Sequence, residues 1–230
     1  TKANKLKKIV NLEKDDMVID IGSNDGTSLS NYRKSNILIG VDPTIKRLKK
    51  FYRKDIITIP NFFNYNSIRK YLDKKKAKIV TTISMFYDLP SPIDFAKDVY
   101  ESLHEDGIWH LEQSYMPLMI KNTSYDTICH EHLEYYSLKS IKHIFDTVGF
   151  KIIDLEFNDT NGGSFAITVA KNKSKYREDS QLVNWLLKKE DIHNYNSYKT
   201  HLNFFQNVKK HKILLKELLL NLKDMGKKII

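Results

Sequence analysis

A single cysteine, Cys129, in 230 residues excludes a disulfide framework and any multi-cysteine zinc module. No apolar run approaches the ~20 residues of a membrane span, and no basic-then-apolar leader opens the chain. A soluble, cytoplasmic protein without a membrane partner is therefore expected. Arginine is scarce: Arg33, Arg47, Arg53, Arg69 and Arg177 are five of the 38 basic residues, and the lysines are spread along the chain. The formal charge of +10 thus permits an anionic partner without building the basic arm of a nucleic-acid-binding protein. Neither an arginine–aromatic patch nor a base-flipping motif is present, so no nucleic-acid partner is expected. With 41% apolar and 29% charged residues, the chain is long enough for a substantial core and too apolar for a disordered tail.

From residue 17 to about 170, short β-branched runs alternate with helix-length amphipathic segments, the pattern of βαβ units around a parallel sheet. Strands are predicted at Met17–Ile21, Ile37–Val41, Ile56–Ile59, Lys78–Ile83, Gly107–Leu111, Lys151–Phe157 and Ser164–Ala170. Helices are predicted at Thr27–Lys34, Thr44–Arg53, Ser67–Lys74, Pro92–Leu103 and Leu138–Val148, the last closed by Gly149. The sixth and seventh strands are separated only by residues 158–163, too few for a crossover helix, and must form an antiparallel hairpin at the sheet edge. The fold class is α/β: a Rossmann-like sheet of seven strands with its last hairpin antiparallel, followed by C-terminal helices. Those helices are predicted at Tyr176–Lys189 and Tyr198–Lys223. In the second, Phe204, Val208, Leu215, Leu218, Leu222 and Met225 recur near helical spacing, a stripe to be buried against its own domain or in a homodimer.

The first strand runs into the turn Asp20-Ile21-Gly22-Ser23-Asn24-Asp25-Gly26. In an open α/β sheet, ligands sit at the carboxyl ends of the strands where strand order reverses. Gly22 lets a ligand approach the backbone, and a helix beginning after Gly26 would offer unpaired N–H groups. The dinucleotide fingerprint fails because Asn24 stands where it requires glycine, and the P-loop fails at Gly26-Thr27. Asp42, twenty residues after Gly22, ends the second strand where an acid can accept ribose hydroxyls. The acidity of Asp20 and Asp25 disfavours phosphate and favours a nucleoside with a cationic amino-acid tail. The turn, with Gly40-Val41-Asp42-Pro43, resembles the S-adenosylmethionine site of class I methyltransferases. That resemblance implies donor contacts from Asp20, Gly22, Ser23, Asn24, Asp25, Gly26, Asp42 and Pro43. Phe62, Phe63, Met85 and Phe86, after the third and fourth strands, fall where an adenine is sandwiched or else belong to the core.

Residues 125–138 hold two histidines, several carboxylates, three tyrosines and the thiol, and open at the same sheet edge. Three readings stand. His130 and His132 could chelate a metal, although Glu134 breaks the H-E-x-x-H pattern and no metal is assigned. The segment could be a structural network, or acid–base machinery in which a carboxylate tunes an imidazole. The run Cys129-His130-Glu131-His132, with the later Asn161-Gly162-Gly163-Ser164, resembles the motifs of sugar C-methyltransferases acting on 4-keto nucleotide sugars. That family implies His132 as general base, Glu131 beside it and His130 in support; making an enolate also calls for an oxyanion donor, a task Tyr135 or Tyr136 could take. The family also implies S-adenosylmethionine as cofactor and a nucleotide-linked keto-deoxysugar as substrate. A small-molecule O- or N-methyltransferase, or an RNA methyltransferase, is the alternative. Relatives often carry tyrosine at Cys129 and histidine at Asp88. Against the family pattern, the expected layout is a donor-binding domain over 1–170, a helical extension over 171–226, and the start of a truncated domain at 227–230, with no amino-terminal zinc module.

Overall fold

The computed structural model describes residues 2–72 and 75–228. Seven strands, β1 (Met17–Ile21), β2 (Ile37–Val41), β3 (Ile57–Ile59), β4 (Ala77–Ile83), β5 (Leu103–Ser114), β6 (Phe150–Asn158) and β7 (Ser164–Lys171), form one sheet in the order β3-β2-β1-β4-β5-β7-β6. The helices are α1 (Lys2–Val10), α2 (Ile45–Leu48), α3 (Tyr65–Leu72), α4 (Pro92–Ser102), α5 (Met116–Asn122), α6 (Leu138–Val148), α7 (Ser180–Ile192) and α8 (Tyr198–Asp224). Strands β1 to β5 pair in parallel, while β7 runs antiparallel to both β5 and β6, which is the expected edge hairpin. This is the expected Rossmann-like sheet of seven strands with its last hairpin antiparallel. Strand order reverses between β1 and β4, so their carboxyl ends flank the crevice in which such sheets bind ligands.

Both faces of the sheet are covered. Met17, Ile19 and Ile21 of β1 enter a core shared with α3, α4, α6 and α7, whereas Val18 enters a second core shared with α1 and the turn after β1. The larger core centres on Trp109, fully buried, whose ring meets Phe86, Phe145 and Phe150 and whose indole N–H donates to Thr82 Oγ1 at 2.9 Å. Helix α6 is set by a capping box at Ser137 and Ser140, and Gly149 ends it at φ +102°, a conformation that glycine adopts without strain.

Several expectations are corrected. Thr27–Lys34 is not a helix; only the 3₁₀ turn Leu29–Asn31 forms. Ser30 Oγ and Asn31 Nδ2 donate to the carbonyls of Gly26 and Thr27, both at 3.0 Å, and such side-chain bonds compete with a regular helix. The Thr27 N–H is taken by Asp25 Oδ1 at 3.0 Å, so no helix N-terminus faces the crevice here. The expected Thr44–Arg53 helix is the short α2 followed by the 3₁₀ turn Lys49–Phe51. Helix α3 begins at Tyr65, and the expected end at Lys74 lies outside the described residues. Strand β5 is longer than Gly107–Leu111, and the Tyr176–Lys189 helix is displaced to Ser180–Ile192. Helices α1 and α5 carry no strong sequence signal. Lys227 and Lys228 lack regular structure, and the rest of the expected terminal strand lies outside the described residues. No residue of α8 is fully buried; of the apolar stripe Phe204, Val208 and Leu222 are half-buried and Leu215, Leu218 and Met225 exposed. No helix among the described residues is long and apolar enough to cross a membrane.

Candidate functional site

The turn after β1 is held by two groups that leave its outer rim open. Asp42, at the end of β2, accepts from the Asn24 N–H at 2.9 Å through one oxygen, and from the Thr44 N–H and hydroxyl at 2.6 Å through the other. Three of the roughly four lone-pair positions of the carboxylate are thereby used inside the protein. Tyr52 lies beneath the turn, its hydroxyl 2.7 Å from Ser23 Oγ and donating to the Asn24 carbonyl at 2.9 Å. A Cβ on Gly26 would fall 2.7 Å from the Tyr52 ring, and one on Gly40 would fall 2.9 Å from it. Both glycines therefore make room for an aromatic ring, a role found only in three dimensions. Burial first, and then the nearby acids, push the Tyr52 phenol up to about 12 against the Ser23 hydrogen bond.

Asp20 is buried at the end of β1, where it accepts from Thr81 Oγ1 of β4 at 2.5 Å. Burial pushes its carboxyl up to about 7, with the Asp42 charge adding to the rise and the Thr81 and Ser28 hydroxyls opposing it. Ser23 and Gly26 are also buried; Gly22 and Asp25 are half-buried, and Asn24 and Pro43 exposed. The Thr27 backbone N–H holds the Asp25 carboxyl below its usual range. Gly22 at φ +73° would place a Cβ 3.1 Å from Met85 Cγ, so the Gly22 backbone packs directly against the side chain of Met85 from the segment after β4.

Beside this meeting point lies an open apolar cavity of about 500 Å³ lined by Phe62, Phe63, Met85, Leu89 and Phe95. Phe62 is 74% exposed, and Phe63 meets Phe95 edge-on at 5.2 Å. Phe86 is the correction: it is fully buried, packed on Phe95, Trp109 and Tyr136, because the 3₁₀ turn Phe86–Asp88 carries it under the sheet edge. Phe86 supports the site from the core and does not face the cavity.

The histidine-rich segment returns to the same edge. Leu133 and Glu134 donate their N–H groups to the Tyr87 carbonyl at 3.0 and 3.1 Å, and the His132 ring lies 4.3 Å from that of Tyr87. His132 Nδ1 is 2.7 Å from the Thr127 carbonyl. A carbonyl only accepts, so Nδ1 carries the proton and the neutral ring keeps its lone pair on Nε2. Tyr135 donates to the same carbonyl at 3.4 Å, whereas Tyr136 turns into the core. Asp88 is close enough for the His132 charge to lower its carboxyl, although burial first and Glu131 second raise it overall. Glu131 and His130 are exposed, and no contact gathers His130 toward the ring of His132. Sequence reasoning missed Tyr52, Thr81 and Thr127; the last acts through its backbone, which no residue-type signal reveals. Among the described residues no group of three or more His, Cys, Asp or Glu is arranged to hold a metal ion.

A family model described as a methyltransferase domain matches residues 2–155, more than half of the chain. The chain belongs to that family. A second model, described as a C-methyltransferase C-terminal domain, matches residues 159–230. The C-methyltransferase NovU of Streptomyces niveus is 29% identical over 163 residues, covering 70% of this chain and 39% of NovU, so the chain spans less than half of that relative. Among solved structures, a chain of the complex between the Haloferax volcanii Trm112 methyltransferase activator and a methyltransferase superposes with TM-score 0.58 at 14% identity, covering 74% of this chain and 88% of that one. The plantazolicin methyltransferase BpumL, in complex with a triazolic desmethylPZN analogue and S-adenosylhomocysteine, gives a TM-score of 0.54 at 11% identity, covering 74% of this chain and 81% of that one. These structural likenesses show the fold alone; membership of the methyltransferase-domain family supports S-adenosylmethionine as the cofactor.

Proposed function

We propose that this chain is the catalytic core of an S-adenosylmethionine-dependent C-methyltransferase acting on a nucleotide-linked keto-deoxysugar. The observation that carries the reading is the segment after β4. Met85 lies against Gly22 of the donor turn, while Tyr87 two residues on packs against His132. One short stretch of chain thus joins a nucleoside-sized groove to an imidazole with its lone pair on Nε2.

The residues present fit the donor. Phe62, Phe63 and Met85 offer an apolar cavity for a purine, the Met85 side chain packs directly on the Gly22 backbone at its edge, and Asp25, whose carboxyl is held below its usual range, offers charge to the cationic tail. When bound, S-adenosylmethionine supplies an electrophilic methyl group on sulfur. His132 Nε2 takes a proton from the carbon beside the ketone, and the electron pair of that C–H bond passes into an enolate. Tyr135, held by Thr127, is the proposed donor to the enolate oxygen. With the donor held in the turn, that methyl group would stand as the electrophile for the enolate carbon, while the proton removed from carbon remains on the His132 imidazolium. Asp88 lies near enough to stabilise that charge. A C–H acid needs such a base; transfer to oxygen or nitrogen needs less. The name of NovU as a C-methyltransferase, and the C-methyltransferase model over the carboxy-terminal third, support carbon as the acceptor.

Calorimetric titration with S-adenosylhomocysteine and with NAD tests the donor assignment. The thioether nucleoside is expected to bind and NAD not; NAD binding in its place would overturn the reading.

A further inference from the structure

Across α5 from His132 the chain builds a second cavity, of about 460 Å³, in the size range of small-molecule sites. Its walls include Tyr115, Phe157, Trp185 and Tyr195, and Lys121 and Lys189 stand at its rim. Trp185 is 54% exposed although it is one of only two tryptophans, and Lys189 Nζ lies 5.6 Å from its ring centre. Among the described residues neither lysine has an ion-pair partner. The one carboxylate in the lining, Glu190, is buried and already engaged: it accepts from the Tyr115 hydroxyl and the Leu138 N–H at 2.6 Å and from the Lys139 N–H at 3.0 Å. Its charge is directed at the N-terminus of α6, which leaves the rim to the two cations. An exposed tryptophan face beside two lysines that lack a carboxylate partner is complementary to a flat aromatic group that carries negative charge.

Helix α5 is the shared wall. Met116 and Met119 line the small space against His132 and Thr127, while Pro117, Leu118 and Lys121 line the aromatic cavity on the opposite side. The two spaces are therefore separated by about one helix diameter, ~10 Å. We propose that this cavity is the subsite for the nucleoside-diphosphate end of the substrate, with the base on Trp185 and the phosphates between Lys121 and Lys189, so that the linked sugar reaches around α5 toward His132. This rests on the proposed function, whose substrate class it places on named residues.

The two tryptophans give a direct test, because Trp109 is fully buried and Trp185 is not. The full chain is titrated with thymidine diphosphate, uridine diphosphate and inorganic pyrophosphate while tryptophan emission is followed, and with S-adenosylhomocysteine by calorimetry. A nucleoside diphosphate is expected to quench emission saturably, with pyrophosphate weaker by about 5-fold to 150-fold, the range that stacking on an aromatic ring contributes. Trp185→Phe should abolish most of the quench, and Lys121→Ala with Lys189→Ala should weaken nucleotide binding by about 10-fold or more at unchanged S-adenosylhomocysteine affinity. Should a variant fail to fold, the wild-type comparison of nucleotide with pyrophosphate decides. Binding of S-adenosylhomocysteine without any saturable nucleotide quench overturns the subsite and spares the donor reading. So does nucleotide binding indifferent to both lysines, or Trp185 emission that tracks protein concentration and so reports self-association. Failure of both ligands to bind overturns the subsite and the proposed function together.

Discussion

The donor turn and the histidine-rich segment meet at one sheet edge but are built on different principles. The turn is clamped from beneath: Asp42 and Tyr52 contribute five hydrogen-bonding contacts to it and its neighbourhood, and the rings and carboxylates that do so are buried. The histidine-rich segment is held mainly by backbone, through the Tyr87 and Thr127 carbonyls, and most of its side chains face outward. A rigid cradle positions a nucleoside once. A loop hung on two carbonyls fixes a tautomer and a ring orientation while leaving room for a second substrate to enter.

The contrast predicts that substitutions in the loop alter turnover, and substitutions under the turn alter stability and donor affinity. The largest effect is expected for His132→Ala, a loss of ~10²–10⁴ in methyl transfer, with the melting temperature and S-adenosylhomocysteine affinity unchanged. Single-turnover rates beside calorimetry check it, and a large loss of donor affinity would erase the distinction between the two regions.

Next comes Gly26→Ala, whose methyl group would fall 2.7 Å from the Tyr52 ring at φ +78°. Overpacking and backbone strain together are expected to cost ~2–4 kcal/mol, read from urea unfolding, and to weaken donor binding.

Asp20 sets the pH dependence of the turn. The unfolded carboxyl loses its proton near 3.9, whereas in the fold it keeps it up to about 7. The folded chain binds the extra proton between those values, so stability falls as pH rises from about 4 to about 7 and levels off above. Asp20→Asn should flatten that slope and stabilise the chain at pH 8 by roughly 2–4 kcal/mol, measured by unfolding at several pH values. The smallest change is Tyr52→Phe, which removes a hydroxyl bonded to Ser23 and Asn24 and should cost ~1–2 kcal/mol with little effect on turnover per bound donor.

The fold was legible because its signals are periodic. The limits of β1 and β2 and the full extent of α6 follow from β-branched runs and from caps at Ser137 and Gly149. Thr27–Lys34 misled because serine and asparagine side chains satisfy the backbone locally, which a hydrophobic pattern does not register. Helix α5 was hidden by its seven-residue length and by Pro117, although proline fits a first helical turn. At the site, residue types were legible and directions were not. Phe62 and Phe86 are chemically identical, yet the first, after β3, is exposed and the second, in the 3₁₀ turn after β4, is buried. The same holds for Tyr135 and Tyr136, adjacent in sequence and turned to loop and core respectively.

The central claim, that the nucleoside cradle and the His132 imidazole serve one carbon-directed reaction, is tested most directly by proton exchange. A 4-keto nucleotide sugar is incubated with the chain in heavy water in the presence of S-adenosylhomocysteine, which fills the donor site but carries no methyl group to transfer. Deuterium entering the carbon beside the ketone with wild-type protein, and not with His132→Ala, is the predicted result. Exchange that persists in the variant, or none in either protein while S-adenosylhomocysteine is bound, would contradict it.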